Sequence, residues 1–94
     1  MSKQFVFFYF FNATPERLME VVPAHRDYWD EIGPAEYSGG PFADRDGGMI
    51  LFSALSHEEA ERIVRGDPFV TEGIIGQSWV RQWEVMPKVP DGRE

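Results

Sequence analysis

The run Phe5-Val6-Phe7-Phe8-Tyr9-Phe10-Phe11 contains no polar break. Its length and aromatic content predict a β-strand rather than a helix. A strand with one wet face alternates apolar and polar positions. This one does not, so both of its faces are expected to be covered. The period then changes. In Asn12-Ala13-Thr14-Pro15-Glu16, Thr14 can cap a helix, Pro15 suits the first helical position and Glu16 complements the helix dipole. Leu18, Val21, Val22, His25, Trp29 and Ile32 follow at helical spacing, up to the stop at Gly33-Pro34. Pro23 lies inside this run and predicts a kink or a restart.

Glu36 to Phe42 reads as a second strand, weakened by Gly39-Gly40-Pro41. Pro41 favours an edge position or a bulge. Asp44-Arg45-Asp46-Gly47-Gly48 is a turn, and Met49 to Leu55 is a third, mostly apolar strand, which makes the pair a hairpin. Ser56-His57-Glu58-Glu59 fits a capping box, with Glu59 reaching back. Ala60, Ile63 and Val64 supply the apolar stripe of a short helix that Gly66 ends. Asp67-Pro68-Phe69 starts one more turn, closed by Gly73. Gln77 to Met86 is the last strand, with Trp79 and Trp83 on one face and Val80 on the other. The expected organisation is one domain over residues 1–87 and a loose polar tail over 88–94.

The order strand, helix, strand, strand, helix, strand predicts an α+β fold. It suits a ferredoxin-like βαββαβ sandwich, a four-stranded antiparallel sheet with two helices on one face. Nothing in the chain covers the other face, yet strands 1 and 3 are apolar on both sides. A second copy packing sheet to sheet solves this, so a homodimer is expected. For a small core, oligomerisation is also a common route to stability.

Composition narrows the function classes. Ninety-four residues carry 9 basic against 16 acidic side chains, a formal charge of -7. That balance argues against general nucleic-acid binding and against docking on anionic membranes. RNA-binding ferredoxin-like domains also display sheet aromatics, but the absence of a basic stripe counts against that reading. There is no cysteine, so thiolate chemistry and disulfides are excluded. The aromatic run is too short to span a bilayer and leads straight into a helix start, so the expected location is cytoplasmic.

His25 is the most informative polar residue, because it shares the helical stripe of Leu18, Val22 and Trp29. One reading is a satisfied core histidine; the other is a pocket base able to transfer protons near neutral pH. Asp67 either caps the turn at Pro68 or faces that imidazole, and one carboxylate can do both. His57, beside two glutamates, reads as solvated surface. Two histidines in unrelated settings make a weak metal site. Asp44, Asp46 and Gly47 lack the rest of a calcium loop. Ser38, Gly39 and Gly40 either let a ligand approach backbone or mark a bulge. No phosphate-binding or dinucleotide motif is present, so no cofactor is expected.

Several of these segments together resemble the YCII-related (YciI-like) domain family. They are Pro23-Ala24-His25, Gly40-Pro41, Asp46-Gly47, and Asp67-Pro68-Phe69 with Gly73. The resemblance covers roughly residues 4 to 87. It implies the dimeric α+β barrel superfamily, ferredoxin-like subunits whose sheets meet across a dimer. It also implies a histidine and an aspartate in a cleft, here His25 and Asp67. Trp29, Ser38, Gly40 and Phe69 are expected around a small-molecule ligand. An arginine common in the family pattern falls at Val22 here. Arg17 or Arg26 would have to replace it, or the substrate is less charged.

Two function classes follow. One is a small cofactor-independent enzyme, using the His-Asp pair for isomerisation or elimination on a cyclic or aromatic substrate. The other is a non-catalytic dimeric module that binds a small molecule or serves a partner enzyme. A third, haem- or flavin-dependent oxygenase chemistry, occurs elsewhere in the superfamily and would give a coloured protein.

Overall fold

The structure, a computed structural model, describes residues 2–86. The expected tail over 88–94 lies outside that range. Along the chain run β1 (Lys3–Phe11), α1 (Pro15–Ile32), β2 (Ser38–Pro41), β3 (Gly47–Ala54), α2 (His57–Arg65), α3 (Pro68–Thr71) and β4 (Ile75–Gln82). The sheet order is β2-β3-β1-β4, with every neighbouring pair antiparallel. This is the ferredoxin-like α+β arrangement that the element order predicts.

β1 is central, and its two faces differ. Phe5, Phe7 and Tyr9 are buried under the helices with Phe52, Ile50, Trp29, Ala60 and Val64. Each fully buried phenylalanine contributes about 1.5–3 kcal/mol of transfer free energy. The inner face of β1 is therefore the main anchor of the helical layer. Val6, Phe8 and Phe10, on the outer face, are only half-buried. There Phe8 stacks on Trp79 at 5.1 Å between centroids, and its cross-strand neighbour Met49 is exposed.

The helix starts follow the chemistry of their caps. Thr14 Oγ1 accepts from the Arg17 amide at 3.2 Å, and Ser56 Oγ accepts from the Glu59 amide at 3.1 Å. Glu59 does reach back, but to the amide of Leu55, one residue before the cap. α1 ends at Gly33, which adopts φ 54°, a left-handed conformation that costs glycine little.

Four sequence expectations are corrected. α1 does not restart at Pro23 but runs through it as one helix. The amide that proline lacks would have bonded the carbonyl of Met19, on the exposed side of the helix, where water can serve. Ile32 lies outside the buried stripe at 38% exposure. β2 shortens to Ser38–Pro41 because Glu36 is left-handed at φ 58° and breaks the extension. β4 ends at Gln82 rather than at Met86, because past Trp83 no backbone bond to β1 continues the ladder among the described residues. Gln82 opposes Phe5, and the Trp83 amide makes one further bond to the Gln4 carbonyl. Pro41 does occupy an edge strand, as its missing donor requires.

Candidate active site

Asp67 is the organising group. It stands in the link between α2 and α3 with no exposed surface. The turn chemistry at Gly66-Asp67-Pro68 sets it there: Asp67 is the N-cap of α3, and its Oδ1 accepts from the Phe69 amide at 2.8 Å. α1 delivers two more donors. His25 Nδ1 lies 2.8 Å from Oδ1 and 3.0 Å from Oδ2, and Trp29 Nε1 donates to Oδ2 at 2.9 Å. His25 and Trp29 are four residues apart on one helix face, so a single carboxylate meets both. The cap reading and the imidazole reading of Asp67 therefore coexist.

The imidazole is fixed from a second direction. Its ring stacks on Phe69 at 3.8 Å between centroids, 7° from parallel. A carboxylate facing Nδ1 places the proton on that nitrogen and leaves the Nε2 lone pair available. Nε2 has no hydrogen bond among the described residues, and no fully enclosed side-chain polar atom there lacks a partner. Nε2 therefore reaches the accessible surface. The imidazole is thus held in one orientation, with Nε2 free of a protein partner among the described residues.

The structure gathers His25, Asp67, Trp29 and Phe69 into one cluster. It does not bring Ser38 and Gly40 to them. Ser38 opposes Leu51 and Gly40 opposes Met49, and these pairs share the outer face with Val6 and Phe8. The residue that faces the helical layer is Gly39, opposite the buried Ile50. His57 is exposed on α2, near Glu61. Of the cations considered in place of the family arginine, Arg17 is held by Glu72 at 2.6 Å. Val22 is half-buried against the core.

Sequence reasoning missed two tyrosines. Tyr9 was hidden inside an apolar run and Tyr37 lay in the connection before β2. Burial, then the Asp67 charge, then Tyr37 push the Tyr9 phenol well above its ordinary range. Burial, Asp30 and Asp67 push Tyr37 up as well. Both phenols therefore stay neutral at physiological pH. The folded state keeps a proton that the unfolded chain releases near pH 10. The Tyr9 contribution to stability is thus complete below about pH 10 and is lost as pH rises toward its folded value. Urea midpoints compared at about pH 9 and about pH 11 are expected to fall, and to fall less for Tyr9→Phe. An equal fall in both proteins would assign the alkaline loss elsewhere.

A family model for the YCII-related domain matches residues 4–84. The chain belongs to that family. No curated protein matches the chain. Two solved structures share the fold. One is 5-chloro-2-hydroxyhydroquinone dehydrochlorinase (TftG) from Burkholderia phenoliruptrix, in complex with 2,5-dihydroxybenzoquinone. It is 23% identical, with a TM-score of 0.73, covering 86% of this chain and 93% of that one. The other is a point mutant of SnoaB, a cofactor-independent oxygenase from Streptomyces nogalater. It is 12% identical, with a TM-score of 0.56, covering 95% of this chain and 97% of that one. Among the described residues, no helix is long and apolar enough to cross a membrane.

Proposed function

We propose that this YCII-family chain is a small enzyme in which His25 moves a proton on a cyclic or aromatic organic substrate. The observation that carries this is the buried Asp67, which fixes His25 through Nδ1 and leaves Nε2 accessible. A core histidine needs no such free nitrogen. Nε2 takes the proton of an acidic C–H or O–H bond, and the electron pair left behind moves into the substrate's π system. In an elimination that pair forms a new double bond, and the leaving group departs with its own bonding electrons. In an isomerisation His25 returns the proton at another carbon. Asp67 holds the tautomer and faces the positive charge that develops on the ring. This chemistry uses only groups the chain provides. The fold neighbour that acts on 5-chloro-2-hydroxyhydroquinone supports reactions on oxygenated rings as the first to screen, and the other neighbour is a cofactor-independent enzyme.

The test is incubation with a panel of halogenated and hydroxylated aromatic compounds, scored for new products and repeated with His25→Gln. Conversion that depends on His25 is expected. Conversion by the variant at the wild-type rate removes the histidine from the reaction. A second reading, a binding module, is favoured by Val22 at the arginine position and by the engagement of Arg17 with Glu72. A compound retained by the purified protein and never converted would select it.

The working unit in this proposal is a sheet-to-sheet homodimer. It is supported by the half-buried Val6, Phe8, Phe10 and Leu51 and the exposed Met49 on one face. Wild-type protein is expected to show the mass of two chains by light scattering. Phe8→Glu places a charge at the centre of that face and is expected to show the mass of one. A dimeric variant would locate the contact elsewhere.

A further inference from the structure

The tyrosines point to how the site recognises its ligand. Tyr9 is 97% buried (3% exposed) and packs its ring edge-on against Phe69, the ring on which His25 stacks. Yet its hydroxyl makes no hydrogen bond among the described residues. Because no fully enclosed side-chain polar atom there lacks a partner, that hydroxyl is the tip of a buried side chain that opens onto accessible space. Tyr28 shows the alternative, since its hydroxyl donates to the Ile63 carbonyl at 2.5 Å.

The two phenol tips occupy the space that side chains at Gly48 and Gly39 would take. A Cβ built on Gly48 would stand 2.7 Å from the Tyr9 hydroxyl, and one on Gly39 would stand 2.7 Å from the Tyr37 hydroxyl. Gly39 opposes Ile50, and Gly48 opposes both Tyr9 and Pro41, so both glycines face the helical layer. Tyr37 packs on Trp29 at 5.8 Å, and Trp29 bonds the same Asp67 as His25. Two neutral donors thus lie against the sheet where glycine leaves room for them, Tyr9 joined to the imidazole through the Phe69 ring and Tyr37 through Trp29 and Asp67.

We infer that the Tyr9 and Tyr37 hydroxyls are the oxygen-recognising groups of the site, and that the ligand is a planar ring bearing oxygen substituents. The inference rests on the His25 reading above for the side of the site that substrate occupies. A phenol donates without adding a buried charge. It strengthens its bond as a substrate oxygen gains electron density when the proton leaves. A wholly apolar ring seated over the Tyr9 hydroxyl would leave it unpaired, so the site discriminates against it.

The test uses 2,5-dihydroxybenzoquinone and the oxygen-free ring p-xylene as probes, with binding measured by calorimetry. Wild type is expected to bind the first in preference to the second. Tyr9→Phe is expected to weaken the quinone about tenfold and Tyr37→Phe about fivefold, with p-xylene unaffected. Both variants keep the ring packing and lose no bond within the described residues, so they are expected to fold. Gly39→Ala gives an independent check. Its nearest neighbours are side-chain atoms, the Tyr37 hydroxyl at 2.7 Å and Ile50 Cγ1 at 3.1 Å. The exposed Tyr37 must move aside, so the same loss as in Tyr37→Phe is expected. Wild-type affinity in Tyr9→Phe, or no saturable quinone binding by the wild type, overturns the inference. His25→Gln separates the two readings. Retained quinone affinity with lost turnover supports both. Tyrosine-dependent binding with turnover that ignores His25 keeps the recognition and discards the base.

Discussion

Asp67→Ala is expected to lose about 3–5 kcal/mol of folding free energy, a large share of what a domain of this size possesses. The carboxylate is fully enclosed and accepts from three donors, two on α1 and one in α3. Its removal leaves His25 Nδ1, Trp29 Nε1 and the Phe69 amide unpaired in a region that excludes water, at about 1–3 kcal/mol for each group left unsatisfied. It also removes the cap of α3, worth about 1 kcal/mol. These costs overlap, so the sum is an upper bound. Asp67→Asn keeps the shape and one acceptor oxygen but turns an amide N–H₂ toward a donor, and an intermediate loss is expected. The measurement is the urea midpoint at unchanged slope. A loss under about 1 kcal/mol for Asp67→Ala would mean that this carboxylate does not join α1 to the α2–α3 link.

Much of the architecture was legible because local signals and the global fold agree. Gly33-Pro34 and Ser56-x-x-Glu59 mark element ends through backbone chemistry that needs no tertiary context. The unbroken apolar run of β1 announced a strand, and the sheet order places it between β3 and β4. The misjudged boundaries depended on partners. β4 stops where its ladder to β1 lapses after the Trp83 bond, although β1 itself runs on to Lys3, and β2 starts only after the left-handed Glu36. A side chain also explains why Glu36 sits there: its carboxylate accepts from Gln4 Nε2 at 3.0 Å and Ser53 Oγ at 3.2 Å. Neither contact is visible in a local pattern.

The site was less legible, for a geometric reason. His25 and Asp67 are 42 residues apart, and spacing along one helix says nothing about which loop its face will meet. Family resemblance proposed the pair, and the coordinates supply their distance. Trp29 reads from the sequence as a ligand wall, and the pattern does not show that its indole N–H donates to Asp67. Its position four residues after His25 was the available signal. Gly40 was chosen where Gly39 faces the helices. A one-residue error in strand parity moves a position to the opposite face. Tyr9 went unremarked because a phenol inside an apolar run reads as packing until its hydroxyl is seen without a partner.

His25→Gln is expected to lower turnover of the natural substrate by about 10²–10⁴, the range for removing a positioned general base. Gln approximates the reach of the imidazole but has no nitrogen that accepts a proton at neutral pH, so substrate binding is expected to change little while kcat falls. Asp67→Asn is expected to reduce kcat by a comparable factor through a different route. An amide facing Nδ1 no longer requires a proton there, and the ring can present a protonated Nε2 to a substrate that needs a lone pair. Because both changes disable one function, the double variant is expected to be about as slow as the slower single variant. Multiplying effects would assign the two residues separate roles. Full activity in Asp67→Asn, assayed in buffer where that variant is folded, would show that the carboxylate serves structure alone. The comparison works because the two losses differ in kind. Destabilisation appears in the urea midpoint, and loss of the oriented lone pair appears in the kcat of the folded fraction.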